Sequence, residues 1–170
     1  MLLFGVNFTL YYLLLIGKVG AVFKSEEFRA YLLIFVASVA VIFVSLLTKA
    51  QGIALDFTTE EAFRHSYFQV ASLLTTTGYT TTDYNVWPAS ATVVLVMVTL
   101  VGGMAGSTAG GIKTSRIVIA VKGLYVQIRK MINPRYVPKM KMEGKTLEES
   151  TVNNVFSFIC LYCVRYVVVD

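Results

Sequence analysis

Two stretches of this chain carry groups able to do chemistry, and in both the chemistry belongs to the backbone. The first is Thr75-Thr76-Thr77-Gly78-Tyr79-Thr80-Thr81-Thr82-Asp83. A threonine run broken by Gly-Tyr makes a poor helix, because β-branched side chains lose χ1 freedom and glycine costs backbone entropy. Extended backbone instead presents a row of carbonyl oxygens, and such rows can replace the hydration shell of a cation. The second is Gly102-Gly103-Met104-Ala105-Gly106-Ser107-Thr108-Ala109-Gly110-Gly111, with five glycines in ten residues. Each weakens a helix by about 1 kcal/mol, so a local unwinding is expected there. Ser107 and Thr108 add hydroxyl oxygens, and the cations Lys113 and Arg116 come directly after.

Both stretches lie among apolar segments that must position them. Leu2 to Ile16 is apolar apart from Asn7 and Thr9 and ends at Gly17-Lys18. At roughly 15 residues it is shorter than the ~20 needed to cross a hydrocarbon core, and it reads as the lower part of a span begun elsewhere. Lys18 to Arg29 is a polar connection, and Tyr31 to Leu47 is a complete apolar span. Lys49 to Thr59 carries Asp56 and few basic residues, as an outer loop does. Thr58-Thr59-Glu60-Glu61 is a Thr-x-x-Glu capping box for a helix from Glu60 to about Leu74. That helix is too short and too polar to cross a bilayer. A re-entrant helix that delivers the chain to the threonine run explains both properties, since irregular backbone at membrane depth must be buried in protein or line a water-filled cavity. Its C-terminus would aim a partial negative charge at a cation there. Pro88 suits the first turn of the next helix. Ala89 to Leu124 is then apolar at Val93–Val101 and again at Ile117–Val121, interrupted by the glycine stretch. Val152 to Val169 starts a further span and carries Arg165.

The expected organisation is an all-α integral membrane protein. Residues 1–22 end a preceding repeat, 23–132 form a complete repeat of span, re-entrant helix, threonine run and interrupted span, 133–150 are a basic connection, and 151–170 begin another repeat. The composition agrees: 56% of the residues are apolar and 15% charged, against about 25% charged in a soluble domain. The net charge of +5 does not mark a nucleic-acid partner, because Lys122, Arg129, Lys130, Arg135, Lys139, Lys141 and Lys145 fall in one connection, the pattern of a positive-inside loop. The same loop could also attract anionic lipid head groups.

Thr76-Thr77-Gly78-Tyr79 resembles the Thr-Val-Gly-Tyr core of potassium-channel selectivity filters. With the glycine stretch through Ile112-Lys113, with Glu27-Phe28-Arg29-Ala30-Tyr31 ahead of the first full span, and with Asn133-Pro134-Arg135 and the basic hairpin-like stretch after it, the whole chain resembles the Trk/Ktr/HKT superfamily of potassium transporters, and its bacterial TrkH-like membrane subunits in particular. Asn133 departs from the histidine often found before the Pro-Arg pair. The resemblance implies four span–pore–span repeats around one path in a single chain, of which this sequence would supply the end of the second, all of the third and the opening of the fourth. It implies backbone carbonyls of Thr76, Thr77, Gly78 and Tyr79 facing potassium, with K+ held at Thr76 and Thr77 as the transported ion and no other cofactor. It implies a gating loop made of Gly102, Gly103, Gly106, Ser107, Thr108, Gly110 and Gly111. Lys113 and Arg116 would either repel the ion or pin the loop. It further implies a multi-pass protein of the bacterial inner membrane, a homodimer of the full subunit, and a cytosolic nucleotide-binding regulatory subunit docked on the basic face. One repeat cannot enclose an ion path, so the chain alone is expected to be an inactive fragment.

Other readings compete for the same residues. A complete subunit could assemble as a homotetrameric potassium channel, although Thr80 stands where such channels have a second filter glycine. Gly102, Gly106 and Gly110 form overlapping GxxxG patterns that could simply pack helices, as in a non-conducting membrane scaffold. A phosphate loop is disfavoured, because Ile112 separates Gly111 from Lys113. Cys160 and Cys163 have no further cysteine or histidine pair and read as small packing residues. His65 reads as a packed or interfacial histidine and not a metal site or pH switch, Arg165 as a charge that snorkels and does not sense voltage, and Asp83 either attracts cations or caps a turn. No nucleophile–base pair, paired carboxylates in an apolar setting or metal-ligand cluster is present, so catalysis is not expected.

Overall fold

The computed structural model describes residues 1–48, 57–133 and 140–169. The outer-loop residues Lys49 and Asp56, the turn at Pro134, and Arg135 and Lys139 lie outside the described residues. A 3₁₀ turn at Leu2–Gly5 precedes α1 (Phe8–Leu15) and α2 (Val19–Lys24). The long α3 (Glu26–Leu47) is followed by α4 (Thr59–Leu74), α5 (Ala89–Val101), α6 (Thr114–Ile132) and α7 (Glu149–Val169). The only strands among the described residues are the two-residue pair β1 (Lys141–Met142) and β2 (Lys145–Thr146), which form an antiparallel hairpin. The all-α expectation holds.

Helix α3 starts earlier than its apolar run, because Ser25 caps it and accepts the Phe28 N–H at 3.4 Å. Glu26 and Glu27 then occupy a first turn where the helix dipole favours acidic groups. At 22 residues it is about 33 Å long, enough for a hydrocarbon core of about 30 Å. Among the described residues it has the length and apolarity of a membrane span. Its buried stripe of Tyr31, Phe35, Val39, Ile42 and Leu46 recurs at helical spacing and meets Ala91, Leu95 and Val98 of α5 and Ala62, Val70 and Leu74 of α4. Edge-on aromatic pairs fix the α3–α4 contact: Phe35 with Tyr67 at 5.2 Å and Phe43 with Phe63 at 5.8 Å. Ser45 and Ser90 hydroxyls lie 2.6 Å apart across α3 and α5. Helices α3 and α5 thus both pack against α4, and the threonine segment follows at the end of α4.

The N-terminal stretch is not one helix. Asn7 caps α1 by accepting the Thr9 N–H at 2.8 Å, and the carbonyl of Gly5 is used elsewhere, by the N–H of Met104. Helix α6 also runs beyond the apolar residues 117–121 to Ile132, so Lys122, Arg129 and Lys130 sit on a helix and not in a loop. Gly123 lets α6 meet α7, since a Cβ there would come within 3.0 Å of Val152 and Phe156.

The capping box of α4 is complete. Thr58 Oγ1 accepts the Glu61 N–H at 3.3 Å, and Glu61 Oε2 accepts the Thr58 N–H at 3.0 Å. These bonds hold the Glu61 carboxyl below the ordinary carboxylate range, the Thr58 backbone contributing most. A depressed carboxyl contributes stability above its unfolded pKa and loses it as the pH falls through the lower folded value. Thr58→Ala should cost about 1 kcal/mol of stability at neutral pH, read as a lower thermal midpoint of the purified protein, and the deficit should shrink in acid as Glu61 is protonated.

Candidate functional site

At the end of α4 the chain doubles back on itself. The N–H of Thr75 bonds to the carbonyl of Ala71 at 3.2 Å, that of Thr76 to Leu73 at 3.0 Å, and those of Thr77 and Gly78 to Ser72 at 2.9 and 3.5 Å. The helix's last carbonyls, which otherwise lack partners, are therefore capped by the threonine segment. In a trans peptide the carbonyl points opposite to the next residue's N–H. With the N–H groups of Thr76, Thr77 and Gly78 turned toward α4, the carbonyls of Thr75, Thr76 and Thr77 turn away from it. Thr75 itself is buried and bonds through its hydroxyl to the Ala71 carbonyl at 2.7 Å and to Thr77 Oγ1 at 2.7 Å. Residues 76–80 are exposed.

Two backbone conformations permit the reversal. Gly78 has φ +79°, with nothing within 4 Å of the position a Cβ would take. Thr76 has φ +52°, rare for a β-branched residue and worth about 1–3 kcal/mol of strain. Beyond Gly78 the segment runs back alongside α4: Ser72 Oγ donates to the Tyr79 carbonyl at 2.6 Å, and His65 Nδ1 lies 3.2 Å from Thr81 Oγ1. The Tyr79 carbonyl thus already has one partner, unlike those of Thr76 and Thr77, for which no such bond is found among the described residues. Asp83 accepts both the backbone N–H and the side-chain amide of Asn85, at 2.9 and 2.8 Å, and caps a 3₁₀ turn.

The glycine stretch is a closed loop between α5 and α6. Its neck is formed by Ile112 N–H to Leu100 at 3.0 Å, Lys113 N–H to Val101 at 3.0 Å and Thr114 N–H to Gly103 at 2.9 Å. Gly102, Gly106 and Gly111 all have positive φ. The GxxxG helix-packing reading therefore fails, because Gly102, Gly106 and Gly110 lie past the end of α5 and on no helix. Inside the loop, Lys113 Nζ donates to the carbonyls of Ser107 and Ala109. The ammonium thus spans the loop as a staple between two of its carbonyls. Arg116 donates to the Ile112 carbonyl at 3.0 Å and stacks on the Phe158 ring at 4.2 Å, which joins the loop's exit to α7.

The two stretches touch. The Gly110 N–H donates to Thr76 Oγ1 at 2.8 Å. Elsewhere the loop is tied to the N-terminal segment: Thr108 Oγ1 to the Phe4 carbonyl at 3.2 Å, Phe8 N–H to the Gly106 carbonyl at 3.1 Å and Met104 N–H to the Gly5 carbonyl at 2.9 Å. Three contributors carry no sequence sign of this contact: Ser72, Gly5 and Glu27, the last noted only within the stretch ahead of the first full span, whose Oε1 accepts the Ala105 N–H at 2.6 Å. A serine inside a helix and a glutamate in a first turn carry no signal of a long-range partner. Cys160 and Cys163 are free thiols, both exposed.

The family model for TrkH, a cation transport protein, matches residues 2–169. The chain belongs to the TrkH family. It is 34% identical over 145 residues to the Trk system potassium uptake protein TrkH of Vibrio parahaemolyticus, an alignment covering 85% of this chain and 29% of that protein. It is 33% identical over 162 residues to the Trk system potassium uptake protein TrkG of Escherichia coli, covering 95% of this chain and 32% of the relative. Its fold superposes on the crystal structure of the potassium transporter TrkH from V. parahaemolyticus with a TM-score of 0.85 at 32% identity, covering 98% of this chain and 36% of the other. The chain spans about a third of the length of the curated relatives it matches.

Proposed function

We propose that the chain contributes one pore repeat, residues 23–132, to a potassium uptake protein of the bacterial inner membrane. Residues 1–22 and 151–170 belong in this reading to the flanking repeats, and 133–150 to a cytoplasmic connection. The transported K+ is dehydrated by the carbonyls of Thr76, Thr77 and Gly78, and by Tyr79 through the lone pair that Ser72 leaves free. Other repeats of a multi-pass subunit supply the rest of the coordination shell. The loop of Gly102, Gly103, Gly106, Ser107, Thr108, Gly110 and Gly111 is the gate, stapled by Lys113 and anchored to α7 by Arg116. The full subunit works as a homodimer with a cytosolic nucleotide-binding regulatory subunit on its basic face.

The observation that carries this reading is the contact between the Gly110 N–H and Thr76 Oγ1. It sets a deformable loop against the turn whose carbonyls are directed away from α4. An N–H donor aimed at that hydroxyl also presents positive charge where a cation would seek oxygen, so the loop in this position opposes ion passage. Rubidium uptake into potassium-uptake-deficient cells, driven by the complete reading frame around this segment, tests it. Uptake that excess potassium suppresses supports transport, and the absence of uptake from a protein present in the membrane overturns it.

A further inference from the structure

We infer that Glu27 is the positioning residue that holds the Gly-rich loop in its closed place, an inference that rests on the transport reading above. The loop has attachments to three parts of the fold: the threonine turn through Thr76, the N-terminal segment through Phe4, Gly5 and Phe8, and α3 through Glu27. Of these, Glu27 is a carboxyl group 5% exposed, and burial of such a group is costly unless it is hydrogen-bonded. Its 2.6 Å bond to the Ala105 N–H supplies a partner and at the same time places the first half of the loop. The mount is firm. Ser25 caps α3 and donates to Glu143 Oε1 of the β1–β2 hairpin at 2.8 Å. Glu26 pairs with Lys122 of α6 at 2.5 Å, and Lys122 also reaches the Lys141 carbonyl at 3.0 Å. Three consecutive residues thus bind the hairpin, α6 and the loop in turn.

A cavity of about 570 Å³ opens beside this junction, lined by Asn7, Glu26, Glu27, Met104 and Glu143 among others. It gives the Met104–Ala105 segment somewhere to go. Once the loop moves, Glu27 faces the cavity and exchanges an N–H for water. The carboxyl therefore has a satisfied state with the loop in place and another with the loop displaced, as a two-position latch requires.

The test is single-channel recording from the full-length protein in planar bilayers, for the wild type, Glu27→Gln and Glu27→Ala, with membrane abundance measured alongside. Glu27→Ala removes the acceptor and should raise the open probability about tenfold. Glu27→Gln keeps the shape and a weaker acceptor and should raise it less. Unitary conductance and the potassium-to-sodium permeability ratio should stay at the wild-type values, which a general disturbance of the pore would not leave intact. Unchanged open probability in both variants overturns the latch, as does altered conductance without a change in opening. Should the alanine variant fail to reach the membrane, the isosteric Glu27→Gln decides alone. A wild-type protein that passes no potassium current overturns the transport reading, and the latch with it.

Discussion

Gly78→Asp in the full-length protein is expected to reduce rubidium uptake to the background of cells lacking the transporter, with the mutant still present in the membrane. Crowding is not the reason, because nothing lies within 4 Å of the Cβ position. Two other effects act together. The backbone at φ +79° is one that side-chain-bearing residues occupy at a cost of about 1–2 kcal/mol, and relaxing it would swing the Thr77 and Gly78 carbonyls out of line. On the transport reading proposed above, the carboxylate would also stand beside the carbonyls that replace the ion's hydration shell, and would hold a cation too tightly for it to leave. Gly78→Ala separates the two effects. It carries the backbone cost alone, corresponding to about a tenfold loss, while the aspartate adds the charge. Uptake equal to wild type in both variants would show that this turn is not in the ion's path, and the transport reading would then have to find its filter elsewhere.

How much of this is legible in the sequence depends on the range of the interactions involved. The α4 capping box is readable because its partners are three residues apart and their types are specific: Thr58 and Glu61 do what the spacing announces. The need for glycine at position 78, the break in the helix after Val101 and the position of α4 before the threonine turn are likewise local consequences of residue type. Hydrophobicity places the start of α3 too late, because the apolar run begins at Tyr31 while the cap is Ser25, and polar first-turn residues are compatible with a helix when they are acidic. Hydrophobicity also runs the N-terminal stretch together as one piece, with Asn7 an exception within it, although asparagine is among the best N-caps. What no local pattern reveals is which distant group completes each bond. Glu27 meets Ala105 across 78 residues and Gly110 meets Thr76 across 34. Those contacts exist only once α3, α4 and α5 have packed, so they arise from tertiary structure and leave no periodicity to read.

The largest stability effects are expected at the neck of the glycine loop, where backbone lies directly on backbone. Gly102 has φ +68°, and a Cβ there would overlap the Gly110 carbonyl and stand 3.0 Å from the Gly111 Cα. Gly111 has φ +82°, and its Cβ would lie 2.8 Å from the Gly102 Cα and 3.1 Å from the Leu100 carbonyl. Neither obstacle is the end of a flexible side chain, so nothing can turn aside. Relief requires the neck to open, and with it the bonds from Ile112 to Leu100 and from Lys113 to Val101. Gly102→Ala and Gly111→Ala should therefore each cost on the order of 3 kcal/mol or more, seen as a marked fall in the thermal midpoint of the detergent-solubilised full-length protein. Gly110→Ala is the internal control, since its Cβ would meet Thr76 Cγ2 at an ordinary 3.5 Å and its φ is not positive; it should stay within about 0.5 kcal/mol of wild type. The three variants together distinguish a general intolerance of side chains in the loop from a requirement at the crossing point. If all three fall together, the loop is packed throughout. If none falls, residues 102 and 111 do not cross as described, and the bonds to Thr76, Glu27 and the N-terminal segment must hold the loop in place.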